Sequence, residues 1–320
     1  PGRSWGTLTD EESDRLAAES VDALAPQLQG EILLSSGRYR YLAGKLKRIV
    51  GRTVKVLAEH GKRSDFVPAA FEIGFGPGQP LPPLTIELPG GARMEVTGRI
   101  DRIDRADGRD GPLVRIIDYK SSRHGLDLAD VYYGLSLQML TYLDVVVTHA
   151  RHLLGSEAKP GGVLYFHVHE PLIRAPRPLD GKEAETELLK RFRMTGLVTA
   201  EPEIARLMDR TLDRGQSLVI PAGLKEDGQF HKSSSVIAPE RWTVLRRHGR
   251  EKIRQIGEGI LSGNVDIAPY RLGGRTACRY CPFKPVCHFD PLVEGNAHET
   301  LRPYGAEDIW PILEGKGEQA

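Results

Sequence analysis

The chain has 320 residues, 40% of them hydrophobic and 27% charged, the balance of a globular protein long enough for one large core or two coupled lobes. Its 44 Lys and Arg against 43 Asp and Glu leave a net charge of +1, so any surface for nucleic acid must come from local clustering rather than from a global field. No apolar run approaches the roughly 18 to 20 residues of a membrane span and no signal-peptide pattern opens the chain, so a cytoplasmic protein without a membrane partner is expected.

The first residue is Pro1 rather than Met, which suggests a piece processed or excised from a longer protein. From about Asp10 to His60 apolar residues recur at helical spacing, as in Leu42, Leu46, Val50, Val54 and Leu57. Lys45, Lys47, Arg48, Arg52 and Lys55 make that stretch locally basic, as either a solvated helix face or a contact for a DNA backbone. From Ser64 onward Pro, Gly and β-prone runs take over. Strands are read at Ala70 to Phe75, Leu84 to Leu88, Arg93 to Ile103 and Leu113 to Lys120, with Asp104 to Pro112 supplying turn chemistry between the last two.

A helix from about Leu128 to Leu154 follows, then a strand near Val163 to Val168, an order that suggests a mixed sheet with helices on its faces. Further helices are expected over Lys182 to Met194, Pro202 to Asp213 and Pro239 to Ser262. The last carries an apolar stripe of Trp242, Leu245, Ile253, Ile256 and Ile260 opposite Arg246, Arg247, Arg250, Lys252 and Arg254. Between those helices Gln216 to Ser235 reads as loop. The chain is thereby divided into a helical lead-in (1–63), a core (64–175), a helical extension (176–264) and a cysteine-bearing tail (265–320).

The chemistry concentrates in two strands. Gly98-Arg99-Ile100-Asp101 ends one, and Ile116-Ile117-Asp118-Tyr119-Lys120 lies on the next, where alternation points Asp118 and Lys120 to one face and Tyr119 to the other. Paired as a hairpin, the strands would bring Asp101 beside Asp118, so two carboxylates and an ammonium meet at one end of a sheet. That group suits phosphodiester hydrolysis, because hard divalent ions such as Mg²⁺ take carboxylate oxygens and bind phosphate through their remaining positions. Gln138 and Tyr142, four apart on a helix, share a face. Asp104 is a competing ligand candidate of the wrong parity, and Glu72 is either an acid supporting the site or a solvated strand residue. Phosphate-loop chemistry is not expected, since no G-x-x-x-x-G-K-[ST] run occurs. All three cysteines lie close together, as Cys278-x-x-Cys281-x5-Cys287, which points to a soft metal centre needing four ligands rather than to disulfides.

The series G-R-I-D, I-I-D-Y-K-S-S and Q-M-L-T-Y resembles the RecB-like branch of the PD-(D/E)xK nucleases. The resemblance implies an α/β, restriction-endonuclease-like mixed sheet flanked by helices, with Asp101, Asp118 and the Tyr119 backbone carbonyl as Mg²⁺ ligands, Lys120 as the catalytic lysine, and Gln138 and Tyr142 beside the site. The run from Ala268-Pro269-Tyr270 to Cys287-His288-Phe289-Asp290 looks like the C-terminal end of AddB subunits of AddAB-type helicase-nucleases. That likeness extends over nearly the whole chain, through the Trp5 lead-in, Phe71 to Phe75, Gly98 to Asp104 and Arg193 to Leu197. It implies that Cys278, Cys281 and Cys287 hold a [4Fe-4S] cluster with a fourth cysteine outside the chain, and that a G-x-x-x-H histidine of the metal site also lies outside it. It further implies action on single-stranded DNA, with an AddA-type helicase-nuclease subunit and the rest of its own subunit as partners. A stand-alone RecB-like exonuclease and a non-catalytic DNA-binding scaffold are the alternatives.

Overall fold

The structure, a computed structural model, describes residues 5–28 and 30–315; the first four residues of the lead-in and the last five of the tail lie outside the described residues. The chain divides into two compact units. The first comprises residues 1–84, 97–126 and 138–243, and the second residues 85–96, 127–137 and 244–320.

The first unit begins with a short turn at Trp5–Thr7 and two helices, α1 (Asp10–Leu24) and α2 (Gly37–Arg63). Thr9 and Glu12 cap α1 reciprocally, and Asp10, Glu11 and Glu12 sit in its first turn, where the helix dipole favours acids. The basic run on α2 is largely answered by acids. Lys47 lies 2.6 Å from Asp22, Lys55 2.7 Å from Asp14, and Arg48 3.8 Å from Glu170.

A six-stranded mixed sheet follows, in which β1 (Val67–Phe75), β4 (Gly98–Gly108), β5 (Gly111–Lys120), β6 (Lys159–His167), β7 (Thr195–Thr199) and β10 (Val236–Ile237) lie side by side in that order. β5 and β6 are parallel; β1, β4 and β5 form an antiparallel meander. Between β1 and β4 the chain makes a separate hairpin, β2 (Leu84–Glu87) with β3 (Arg93–Val96). Arg93 to Ile103 is therefore not one strand: the chain leaves β3 at Thr97 and enters the main sheet at Gly98. The expected turn over Asp104 to Pro112 shrinks to Gly108 through Gly111, and Asp104 to Asp107 continue β4.

The helix expected from Leu128 to Leu154 is three, α3 (Leu128–Tyr132), α4 (Gln138–Thr148) and α5 (Ala150–Leu154). The first break is built by Gly134 at φ +79° and by the Leu135 and Ser136 amides, which both donate to the Asp130 carbonyl. After β6 come α6 (Gly181–Arg191), the unexpected β7, and α7 (Pro202–Met208). Gly196 makes β7 possible: its φ is +129°, and a Cβ there would stand 2.1 Å from the Val163 carbonyl of β6. The Gln216 to Ser235 stretch holds only the short pair β8 (Gly215–Gln216) and β9 (Gly223–Leu224).

One face of the sheet packs a core of Val56, Leu57, Phe66, Leu164, Phe166 and Phe192, each at most 5% exposed. Burying side chains of this size is worth about 1.5–3 kcal/mol each. Helix α8 (Arg241–Leu261) follows β10. Trp242 at its start is buried and its indole N–H donates to Thr199 Oγ1. The apolar stripe read on α8 is buried only at Trp242 and Leu245, whereas Ile256 and Ile260 are exposed. Within the second unit, β11 (Tyr270–Leu272), β12 (Arg275–Thr276) and β13 (Glu299–Leu301) form a small sheet, with α9 (Lys284–Cys287) and α10 (Ala306–Leu313). Among the described residues no helix is long and apolar enough to cross a membrane.

Candidate active site

The β4–β5 ladder runs to the pair Arg102↔Ile117 and stops. Beyond it the Asp101 carboxylate takes the place of a ladder carbonyl, accepting the Tyr119 amide at 2.9 Å. Asp118 follows five buried residues of β5 and is 1% exposed. Its Oδ2 lies 2.7 Å from Lys120 Nζ, and its Oδ1 accepts from Gln138 Nε2 at 3.1 Å. Gln138, the first residue of α4, closes the group: its Oε1 accepts from Lys120 Nζ at 3.1 Å and its Nε2 also reaches the Tyr142 hydroxyl at 3.0 Å. Asp118, Lys120, Gln138 and Tyr142 are thus joined as the sequence pattern anticipated, with Asp101 on the neighbouring strand end. Gln138 touches both the acid and the lysine, so it lies within the group rather than only beside it.

Burial pushes the Asp118 carboxyl above the ordinary range, and the neighbouring Asp101 charge adds to this, while the Lys120 ammonium and, more weakly, His124 pull it down. Burial outweighs the Lys120 ammonium 2.7 Å from Oδ2, so a further cation beside Asp118 would favour its charged form. Two carboxylates and a backbone carbonyl are hard oxygen donors, and Mg²⁺ keeps several waters and needs only one or two protein carboxylates, so the donor set fits that ion. Among the described residues no group of three or more His, Cys, Asp or Glu is placed to hold a metal.

Tyr119 points to the opposite face, where its hydroxyl is 3.3 Å from Arg102 Nη1. There the sequence reading missed a buried charge network. Asp104, fully buried, accepts from Arg102 Nε at 2.6 Å and from Arg115 Nε at 2.8 Å, so it is a structural acid rather than a metal ligand. Burial lowers Arg115 below the usual guanidinium range; for Arg102 the charge and hydrogen bonds of Asp104 and Tyr119 outweigh burial and raise it. His60 of α2 is buried beside them, edge-on to Phe166, and burial with the charges of Arg115, Arg102 and Arg63 lowers its pKa to about 3. The only sequence signal for this network was the odd spacing of Asp104 from Asp101.

Glu72 is set in the left-handed region at φ +47°, between residues that pair with Arg102 and Ile100 on either side of Asp101. Its side chain is mostly exposed and lies 4.0 Å from Arg99. Cys278, Cys281 and Cys287 are half-buried free thiols; the Cys281 amide reaches the Cys278 carbonyl across a tight turn. Among the described residues they do not by themselves complete a metal site.

A mixed sheet whose antiparallel meander presents Asp101, Asp118 and Lys120 at one end is the arrangement of a nuclease class, and the sequence profile of the PD-(D/E)XK nuclease superfamily matches residues 3–288. The chain belongs to that superfamily. It is 50% identical over 299 residues to the B subunit of the ATP-dependent helicase/deoxyribonuclease of Bacillus licheniformis, covering 93% of this chain and 26% of that protein. The proteins of the same name from Bacillus subtilis and Pelotomaculum thermopropionicum are 49% and 47% identical, over 97% and 98% of this chain and 26% and 27% of theirs. The chain therefore spans about a quarter of the length of the curated relatives it matches.

Proposed function

We propose that the chain is the nuclease part of a helicase-nuclease, an Mg²⁺-dependent deoxyribonuclease cutting single strands delivered by an associated AddA-type helicase subunit during double-strand break processing and recombinational repair. The observation that carries this reading is the closed group of Asp118, Lys120 and Gln138 beside Asp101, at the end of the sheet of a superfamily nuclease.

Asp101, Asp118 and the Tyr119 carbonyl would hold Mg²⁺. When bound, the ion supplies a water of lowered pKa and offsets charge that builds on the phosphate. The residues of the chain do the rest. Asp101 fixes the Tyr119 backbone through its amide, and Asp118 and Gln138 together hold the Lys120 ammonium, which keeps a further N–H to donate to a phosphate oxygen as charge develops there. Tyr142 anchors Gln138 from the next helical turn. The three cysteines are proposed, on the AddB resemblance, to hold a [4Fe-4S] cluster with a fourth cysteine from elsewhere, as a structural staple; iron and sulfide analysis of the anaerobically purified protein tests this.

The decisive experiment is cleavage of end-labelled single-stranded DNA with Mg²⁺, with EDTA, and with the Lys120→Ala protein. Cleavage is expected with Mg²⁺ alone. DNA binding without cleavage under every condition would favour the scaffold reading, and full activity of Lys120→Ala would overturn the site.

A further inference from the structure

Within the second unit three tyrosines from two distant stretches of chain meet. Tyr132 and Tyr133 close α3, and Tyr304 follows β13. The Tyr304 ring stands 5.7 Å from Tyr132, edge-on at 90°, and 6.2 Å from Tyr133, inclined by only 24°. Tyr132 and Tyr133 are themselves 4.9 Å apart.

The group is held on several sides. Asp127 caps α3 through the Ala129 amide, and Arg275 of β12 grips Asp130 with two nitrogens, at 2.6 and 2.9 Å. The Tyr133 hydroxyl donates to the Arg302 carbonyl at 2.9 Å, which ties α3 to the segment after β13. His248 of α8 stacks on Tyr132 at 5.9 Å and 8°, with its Nε2 3.0 Å from the Tyr132 carbonyl.

This much fixation would suit a core, yet all three tyrosines are only half-buried. Two cations lie over their rings: the exposed Arg302 guanidinium is 5.1 Å from the centre of Tyr304, and the Lys252 ammonium 5.9 Å from that of Tyr132. Among the described residues neither cation forms an ion pair, whereas Arg275 is taken by Asp130 and Arg254 by Glu251. Half-buried rings interleaved with unpaired cations match a single strand of nucleic acid, whose bases stack on aromatic faces whatever the sequence and whose phosphates meet the charges. A duplex keeps its base faces covered, and an apolar protein partner would leave both cations without a counter-charge. We propose that Tyr132, Tyr133 and Tyr304 form a stacking platform for bases of single-stranded DNA, with Lys252 and Arg302 holding the flanking phosphates.

This proposal rests on the nuclease reading, and its test separates the two. Binding of oligothymidylate to the full protein is measured in EDTA, so that no strand is cut, with the melting temperature of every variant. Tyr133→Leu and Tyr304→Leu should each weaken binding about tenfold, the scale of one stacked base, whereas Tyr133→Phe, which keeps the ring, should bind like the parent. Arg302→Ala and Lys252→Ala should each lower the slope of log affinity against log salt by about 0.7, a change that a purely structural role would not produce. An abasic deoxyribose-phosphate chain of the same length should bind the parent more weakly than oligothymidylate, and that difference should shrink in Tyr133→Leu. If affinity and salt slope are unchanged in Tyr133→Leu, Tyr304→Leu and Arg302→Ala while Lys120→Ala is inactive in cleavage, the platform is wrong and the nuclease reading stands. If Lys120→Ala cleaves normally, the reading beneath it fails. Equal losses on duplex DNA, with no difference between the abasic and thymidine strands, would make this a general phosphate surface and overturn the stacking. Should Tyr133→Leu unfold, the exposed Arg302 and the abasic comparison in the parent carry the test.

Discussion

The chain repeats Arg-Ile-Asp in succession, Arg99-Ile100-Asp101 and Arg102-Ile103-Asp104, and the two aspartates have opposite fates. Asp101 stands where the β4–β5 ladder ends, partly open, with its carboxylate on a backbone amide. Asp104, three residues on, is fully buried between Arg102 and Arg115 beneath α2. One face of the hairpin sets Asp118 against the Lys120 ammonium and the Gln138 amide, and the other supplies two guanidiniums to one carboxylate, as a locked core requires. The contrast teaches that parity along a strand, rather than residue type, separates chemistry from stability here.

The largest effect that would break this contrast is on the open face. Asp118→Ala should lower cleavage by roughly three orders of magnitude or more, because it removes both a proposed ion ligand and the anchor of Lys120. Single-turnover assays beside thermal melts should show activity lost and the fold kept; a collapse of the melting temperature would mean that this face, too, is structural.

Asp104→Ala should do the reverse. Removing the acid leaves Arg102 and Arg115 buried without a counter-charge, at a cost of about 3–5 kcal/mol. Denaturant unfolding would read it, and the residual folded protein should cleave DNA normally. A stable variant with abolished cleavage would place Asp104 in the chemistry after all.

His60 sharpens the closed face through pH. Its folded pKa of about 3 lies below the 6.5 of an unfolded imidazole, so the unfolded chain takes up the proton first and stability falls as pH drops below 6.5. Above pH 6.5 both states are neutral and the effect is absent. At pH 5 the loss amounts to about 2 kcal/mol. His60→Leu should flatten the melting temperature between pH 6.5 and 5, measured against the parent; an unchanged slope would show that His60 is not the titrating group.

How much of this was legible in the sequence follows the same division. Asp118, Lys120 and their shared face were readable because alternation is a local rule, and Gln138 with Tyr142 because four residues make one helical turn. The run Asp104 to Asp107 read as turn because Asp is polar, but its partner Arg115 is eleven residues away on the next strand, and only the folded hairpin makes an aspartate a core residue. Strand β7 was hidden for a related reason: its glycine weakens the local β signal, yet the close approach to Val163 requires it. The break before Gln138 was carried by Gly134 and by backbone bonds to Asp130, which apolar periodicity does not register.

The smallest expected effect concerns Gln138, which belongs to the open face without being charged. Its amide touches Asp118 Oδ1, Lys120 Nζ and the Tyr142 hydroxyl, so it orients the acid and the lysine while contributing no ionic charge of its own. Gln138→Ala removes two hydrogen bonds to charged partners but leaves Asp118 and Lys120 2.7 Å apart and able to pair. A positioning loss of this kind should lower kcat about tenfold, far less than loss of Asp118, because net hydrogen bonds to charged groups are worth about 1.5–3 kcal/mol and part of that is recovered by water. Gln138→Glu discriminates position from charge: it keeps the reach and adds a carboxylate beside Asp118, so it should tighten divalent-ion binding while losing the donor to Asp118 and Tyr142. Titration of Mg²⁺ against cleavage rate for both variants checks this. If Gln138→Ala cuts single-stranded DNA at the parental rate at every Mg²⁺ concentration, the amide is helix packing and the open face consists of Asp101, Asp118 and Lys120 alone.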